Sequence, residues 1–146
     1  MNYNIAHIGL NVLDLEKSVA FYKEAFDMRE VFRMYPKSDL DMILCFLSDE
    51  SGSCMLALTW FGERKEPYEL GENNNNIAIV TDDFEASYTR HKQMGIVCME
   101  GMEKRIYYVE DPDGYQIAVV PEKFHPTFFT AGRNRSEVPD LTNGER

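Results

Sequence analysis

The stretch HIGLNVLDLEKSVAFYKEAFDM, residues 7–28, changes period partway along. Ile8, Leu10 and Val12 alternate with His7, Gly9 and Asn11, the period-2 signature of a half-buried strand. From Leu15 the spacing lengthens. Leu15, Val19, Tyr22 and Phe26 follow at steps of four, three and four, which draws one apolar stripe on a helix. Asp14 stands between the two patterns as an N-cap, with Glu16 favourably placed in the first helical turn.

The same strand-to-helix device recurs later in the chain. Asn76-Ile77 repeats His7-Ile8, and Asp83-Phe84-Glu85-Ala86-Ser87 repeats Asp14-Leu15-Glu16-Lys17-Ser18, with positions 7 and 76, and 14 and 83, each 69 apart. An internal repeat of pattern as well as letters argues for two modules of one plan. In the first, strands are expected at Met42–Leu47 and Cys54–Trp60, split by the turn-like run from Ser48 to Ser53. In the second, a strand is expected over Asn76–Val80. Phe84, Tyr88 and His91 mark a structural helix face, and Gly95 supplies the stop. Ile106–Glu110 and Tyr115–Val120 then pair through Asp111-Pro112-Asp113-Gly114, where proline presets φ and glycine takes the left-handed position. The fold class is α+β, with two βαβββ modules (about 3–62 and about 73–121) and the helices on one side of the sheets. Glu63–Glu72 is a charged connector. Residues 122–146 form a C-terminal extension whose last dozen residues are expected to fray. Its His125 precedes a proline and is expected to be exposed.

Composition narrows the function. A net charge of −10 argues against a nucleic-acid partner, which needs a basic face. No apolar run spans a bilayer, and the opening MNYNIAHIGL lacks the pattern of a signal peptide, so a cytoplasmic location is expected. Cys45, Cys54 and Cys98 have no metal or redox spacing and are read as reduced thiols.

This layout resembles the vicinal-oxygen-chelate superfamily (glyoxalase, bleomycin-resistance and dioxygenase type), and locally it most resembles glyoxalase I, lactoylglutathione lyase. The resemblance is carried by residues 7–28, by LALTW (56–60), by YELG (68–71) and by YVEDPDGYQI (108–117). It implies a curled mixed sheet whose concave face holds one divalent metal, bound by a His or Gln and a Glu from each module. The matching positions in this chain are His7, Ala57, Asn76 and Ala118. Only His7 keeps a good donor, because alanine has none and an amide oxygen is a weak ligand for zinc, nickel or iron. Asn11 stands where such glyoxalases carry a glutathione-binding arginine, and Phe61 falls where they carry an asparagine. No metal and no other cofactor is therefore expected, and metal-dependent lactoylglutathione lyase activity is not.

Strand parity supplies an expected lining: His7, Gly9, Asn11, Met55, Ala57 and Thr59 from the first module, and Asn76, Ala78, Gln116, Ala118 and Val120 from the second. Leu44 and Phe46 lie near Ala57. If the Asp111–Gly114 turn pairs Glu110 with Tyr115, then Tyr107 and Val109 join that face. Trp60 is a further aromatic candidate for contact with ligand, with core or interface as the plainer use of Trp60 and Tyr107. A pocket of small residues, neutral polar tips and aromatics suits an uncharged organic ligand, aromatic or antibiotic-like. The expected function is metal-independent binding of such a molecule by a homodimer, as in bleomycin-resistance-type relatives. The alternative is a lyase or isomerase, either metal-free with His7 as catalytic base or with metal ligands not recognised above, such as Glu110 or a residue of the tail.

Overall fold

The computed structural model describes residues 1–37, 39–72, 77–101 and 105–124. It divides into two compact units, Met1–Asn75 with Glu110–Tyr115, and Asn76–Val109 with Gln116–Arg146.

The first unit contains β1 (His7–Val12), α1 (Leu15–Phe26), β2 (Arg29–Met34), β3 (Met42–Ser48) and β4 (Met55–Phe61). Its four-stranded sheet runs β1-β4-β3-β2, with β1 parallel to β4 and the other pairs antiparallel. The Asp14 carboxylate accepts the Lys17 amide at 3.0 Å, which satisfies one orphan donor of the α1 start. Residues Leu15, Ser18, Tyr22 and Ala25 form its buried side. That stripe is rotated slightly from the one read in sequence, so Val19 and Phe26 are only half-buried. Val12, Cys45, Leu47, Leu56 and Leu58 point to the helix side of the sheet and are buried. Burial pushes the Cys45 thiol up to about 11, which suits an inert core thiol.

The hairpin tip Glu110–Tyr115 belongs to this unit through two aspartates. Asp111 takes the Asp113 and Tyr115 amides on one oxygen, each at 2.9 Å, and the Tyr22 hydroxyl on the other at 2.8 Å. Asp113 accepts from the Leu13 amide at 2.8 Å and the Ser18 hydroxyl at 3.2 Å. Ser18 and Tyr22 are thus buried because their hydroxyls are satisfied by the tip.

Burial holds the Asp111 carboxyl above the usual carboxylate range, against the lowering effect of its donors. The Tyr22 hydroxyl is likewise pushed well up, first by burial and then by the neighbouring carboxylate. With its pKa raised on folding, Asp111 keeps a proton that the unfolded chain has already lost. Stability should therefore fall as pH climbs from about 4, the ordinary aspartate value, through the raised one. Urea midpoints measured across that window should decline, and Asp111→Asn should flatten the decline. An unchanged slope in the variant would assign it to other groups.

The second unit contains β5 (Ile77–Thr81), α2 (Phe84–Gln93), β6 (Val97–Glu100), β7 (Tyr107–Glu110), β8 (Gln116–Pro121) and a short 3₁₀ turn, Glu122–Phe124. Its strand order, β5-β8-β7-β6, repeats that of the first sheet, with β5 parallel to β8. Asp83 caps α2 by accepting the Ala86 amide at 3.0 Å. Gly95, at φ 70, ends it, and the Ile96 amide reaches back to the His91 carbonyl at 3.1 Å. The α+β plan of two βαβββ modules is therefore present. Strands β2 and β6 were not among the expected strands. Both are short edge strands with mostly exposed residues, so neither writes a clean alternation into the sequence. The expectations for His125 and for the fraying tail lie outside the described residues.

Candidate functional site

Register lays out the face of the first sheet that points away from α1 as rows across four strands. One row begins His7, Met55, Ser48. The next is Gly9, Ala57, Phe46, Phe32, and the third is Asn11, Thr59, Leu44, Met34. The expected first-module contacts His7, Asn11, Phe46, Met55, Ala57 and Thr59 therefore share one face. Phe32 and Met34 join them, and were missed because β2 itself was. Phe32 meets Phe46 at 6.2 Å between ring centres.

The His7 ring meets Phe46 edge-on at 5.5 Å. His7 is on β1 in the row of Met55 and Phe46 is on β3 in the row of Ala57, so the line between the rings crosses β4 between these two rows. That alanine is 2% exposed, whereas His7 and Asn11 are exposed. The place where the resemblance calls for a glutamate is thus a buried methyl group beside an aromatic pair, not an open floor. The Gly9 and Asn11 rows carry no charged side chain, which leaves an amide, a hydroxyl and apolar surface. The Asn11 carbonyl accepts the Tyr115 hydroxyl at 3.0 Å, which ties the end of this face to the hairpin tip.

Trp60 is not on this face. It pairs with Val12 and Ile43 and so lies on the α1 side, where it lines a shallow hollow with Leu13, Leu15 and Glu16. Period-2 alternation sets this, since Trp60 follows Thr59 by one residue.

In the second unit Ala118 pairs with Ala78, and Gln116 and Val120 share their face. Ala118 is 2% exposed and Gln116 half-buried. The expected place of Tyr107 and Val109 on this face is corrected. The Asp111 amide bonds to the Tyr115 carbonyl at 3.0 Å, and the Gly114 amide, at φ 90, closes back to the Asp111 carbonyl at 3.1 Å. This is a three-residue hairpin loop with a glycine bulge, which shifts the register by one from the expected pairing. A one-residue slip exchanges the faces. Tyr107 is accordingly 1% exposed on the α2 side, with ring centres 5.2 Å from Phe84 and from Tyr88 and its hydroxyl 2.9 Å from His91 Nδ1. His91 is buried there, as its place on the helix face suggested. The signal for this register was available, because Tyr107, Val109, Ile117 and Val119 make one apolar set.

The donor set does not fit the divalent metal that the resemblance implies. The face of the first sheet offers His7 without a carboxylate beside it, Ala118 offers no donor atom, and Asn76 lies outside the described residues. Glu110 is exposed at the end of β7. Among the described residues no three His, Cys, Asp or Glu side chains are grouped to hold a metal ion.

Comparison with known proteins adds to this geometry. The family model for the glyoxalase/bleomycin resistance protein/dioxygenase superfamily matches residues 4–119. The lactoylglutathione lyase of Neisseria meningitidis serogroup A is 35% identical over 128 residues, covering 82% of this chain and 91% of that protein. The probable lactoylglutathione lyase of Vibrio cholerae is 35% identical over 130 residues, covering 84% and 93%. Among solved structures, the trypanothione-dependent glyoxalase I of Leishmania major superposes with a TM-score of 0.77 at 26% identity, covering 89% of this chain and 94% of that one. The fosfomycin resistance protein FosX from Mesorhizobium loti, at 21% identity and a TM-score of 0.64, shares the fold; it covers 90% of this chain and 99% of its own. With a family match over most of its length and relatives above 30% identity, the chain belongs to the glyoxalase/bleomycin resistance protein/dioxygenase superfamily.

Proposed function

We propose that the protein is a metal-independent binder of a small, uncharged organic molecule, aromatic or antibiotic-like, held on the face of the first sheet that points away from α1. The observation that carries this reading is the buried Ala57 methyl beside the His7–Phe46 ring pair, in a position that the family gives to a metal-binding glutamate. Apolar contact with Phe32, Phe46 and Met55 supplies the attraction, and His7, Asn11 and Thr59 orient the ligand by hydrogen bonds. Trp60 and Tyr107, on the helix sides, leave the proposed contact set. Antibiotic sequestration would be a natural use of such a binder.

A thermal-shift screen against neutral aromatic compounds tests the reading. At least one class should raise the melting temperature, with the rise lost in Phe46→Ala and reduced in His7→Ala. Stabilisation that survives both substitutions would move the site elsewhere, and none across the panel would sink the proposal. Purified protein should also carry only substoichiometric zinc or nickel.

The names of the relatives favour a second reading, a lyase or isomerase with His7 as base. It requires lactoylglutathione formation or another turnover that collapses in His7→Gln. We further propose a cytoplasmic homodimer. Val31, Phe32 and Met34 on the β2 edge, with Tyr35, are exposed apolar side chains suited to self-association, and a monomer in gel filtration at micromolar concentration would refute it. No helix among the described residues is long and apolar enough to cross a membrane.

A further inference from the structure

A second hollow, of about 160 Å³, lies within the second unit and is lined by Phe84, Glu85, Tyr88, Glu100, Ile106 and Tyr107. It is smaller than the roughly 300–1,000 Å³ of drug-sized sites, so it suits a fragment-sized ligand. Its chemistry is of one kind. The Phe84 and Tyr88 rings pack around Tyr107, each 5.2 Å away between centres, and the two acidic side chains of the lining, Glu85 and Glu100, are both carboxylates.

The chain itself already places an ammonium at this rim. Lys92 Nζ lies 2.7 Å from the Glu100 carboxylate and 5.4 Å from the Tyr88 ring centre. The same Glu100 oxygen accepts the Tyr88 hydroxyl at 2.5 Å, which fixes the ring beside the carboxylate. A cation is attracted to an aromatic face by the ring quadrupole. The α2 start contributes a partial positive charge nearby, but Asp83 and Glu85 sit in that first turn and offset it. The net charge of −10 raises the local concentration of cations further.

We infer that this hollow is a binding site for a small organic ammonium, with the cation between Glu85 and Glu100 and its apolar body against Phe84, Tyr88 and Ile106. It rests on other residues than the sheet face proposed above and stands or falls independently of it.

The test is an NMR titration of ¹⁵N-labelled protein with benzylammonium chloride. Benzyl alcohol serves as the neutral isostere and sodium chloride matches the ionic strength. Benzylammonium should give saturable shifts confined to residues 84–88, 100 and 105–107, in the millimolar range expected of about eight non-hydrogen atoms. Benzyl alcohol should bind at least about fivefold more weakly, the margin a cation–π and carboxylate contact provides. Glu85→Gln should weaken benzylammonium severalfold without changing the spectrum elsewhere. Tyr88→Phe, which keeps the ring, should retain binding, and Tyr88→Leu should lose it. Equal affinity for the alcohol, shifts that never saturate, or indifference to Glu85→Gln would each overturn the assignment.

Discussion

Ala57→Glu should destabilise the protein by about 3 kcal/mol in the presence of a chelator, and zinc or nickel should restore much of that loss. The methyl group it replaces is 2% exposed, between Gly9 and Phe46 in its row, with the His7–Phe46 ring pair beside it. A carboxylate in that place loses hydration and gains no donor, and an unpaired buried charge is among the few mechanisms that cost this much. Its folded-state pKa would be raised, so the loss should deepen as pH rises above the ordinary glutamate value. A divalent ion changes the balance. His7 is on the same face one row away, and an imidazole with a carboxylate is a far better metal pair than an imidazole alone. Metal at about 100 times its dissociation constant would return about 2.7 kcal/mol. Urea unfolding of the variant, with and without metal, reads both effects. Rescue should vanish in Ala57→Glu with His7→Ala. If the variant is as stable as the parent in chelator, the alanine is not sealed as described. If no metal rescues it, His7 is not aimed at that position.

Asp111→Ala should be about as costly, at roughly 3–4 kcal/mol. The substitution removes the acceptor for two backbone amides and for the Tyr22 hydroxyl, which is left unpaired in a side chain that is 1% exposed. Asp111→Asn should cost only about 1 kcal/mol. Its amide oxygen can still accept the two backbone N–H groups, while its nitrogen donates to the Tyr22 oxygen. Tyr22→Phe should fall between them, because it leaves the carboxylate short of one donor. Denaturant midpoints order the three, and a loss below about 1 kcal/mol for Asp111→Ala would mean that the tip is held by its proline and glycine alone.

Much of this was legible in the chain. The period change at Asp14 and its recurrence at Asp83 located both strand-to-helix entries, and both aspartates cap as expected. The grouping of His7, Asn11, Phe46, Met55, Ala57 and Thr59 on one face followed from alternation alone. The edge strands were not legible, because Arg29–Met34 and Val97–Glu100 bury too little to impose a pattern. Nor was the partnership of Tyr22 with Asp111. A tyrosine in an apolar helical stripe looks like core, and its hydroxyl finds a partner 89 residues away.

Local periodicity and the identity of each side chain determined the two-module α+β plan, and they determined that Ala57 and Ala118 bring no donor atom to the positions where the family resemblance implies a metal ligand. Those are properties of single residues and short windows, and no folding can supply an atom that is missing. The tertiary structure decided which face each side chain serves. The loop at Asp111–Gly114 can close over three residues or four, and only the bulge at Gly114 turns Tyr107 toward α2. It also decided that Ala57 is sealed beside the His7–Phe46 pair, because burial depends on neighbours brought together by strand pairing rather than by sequence.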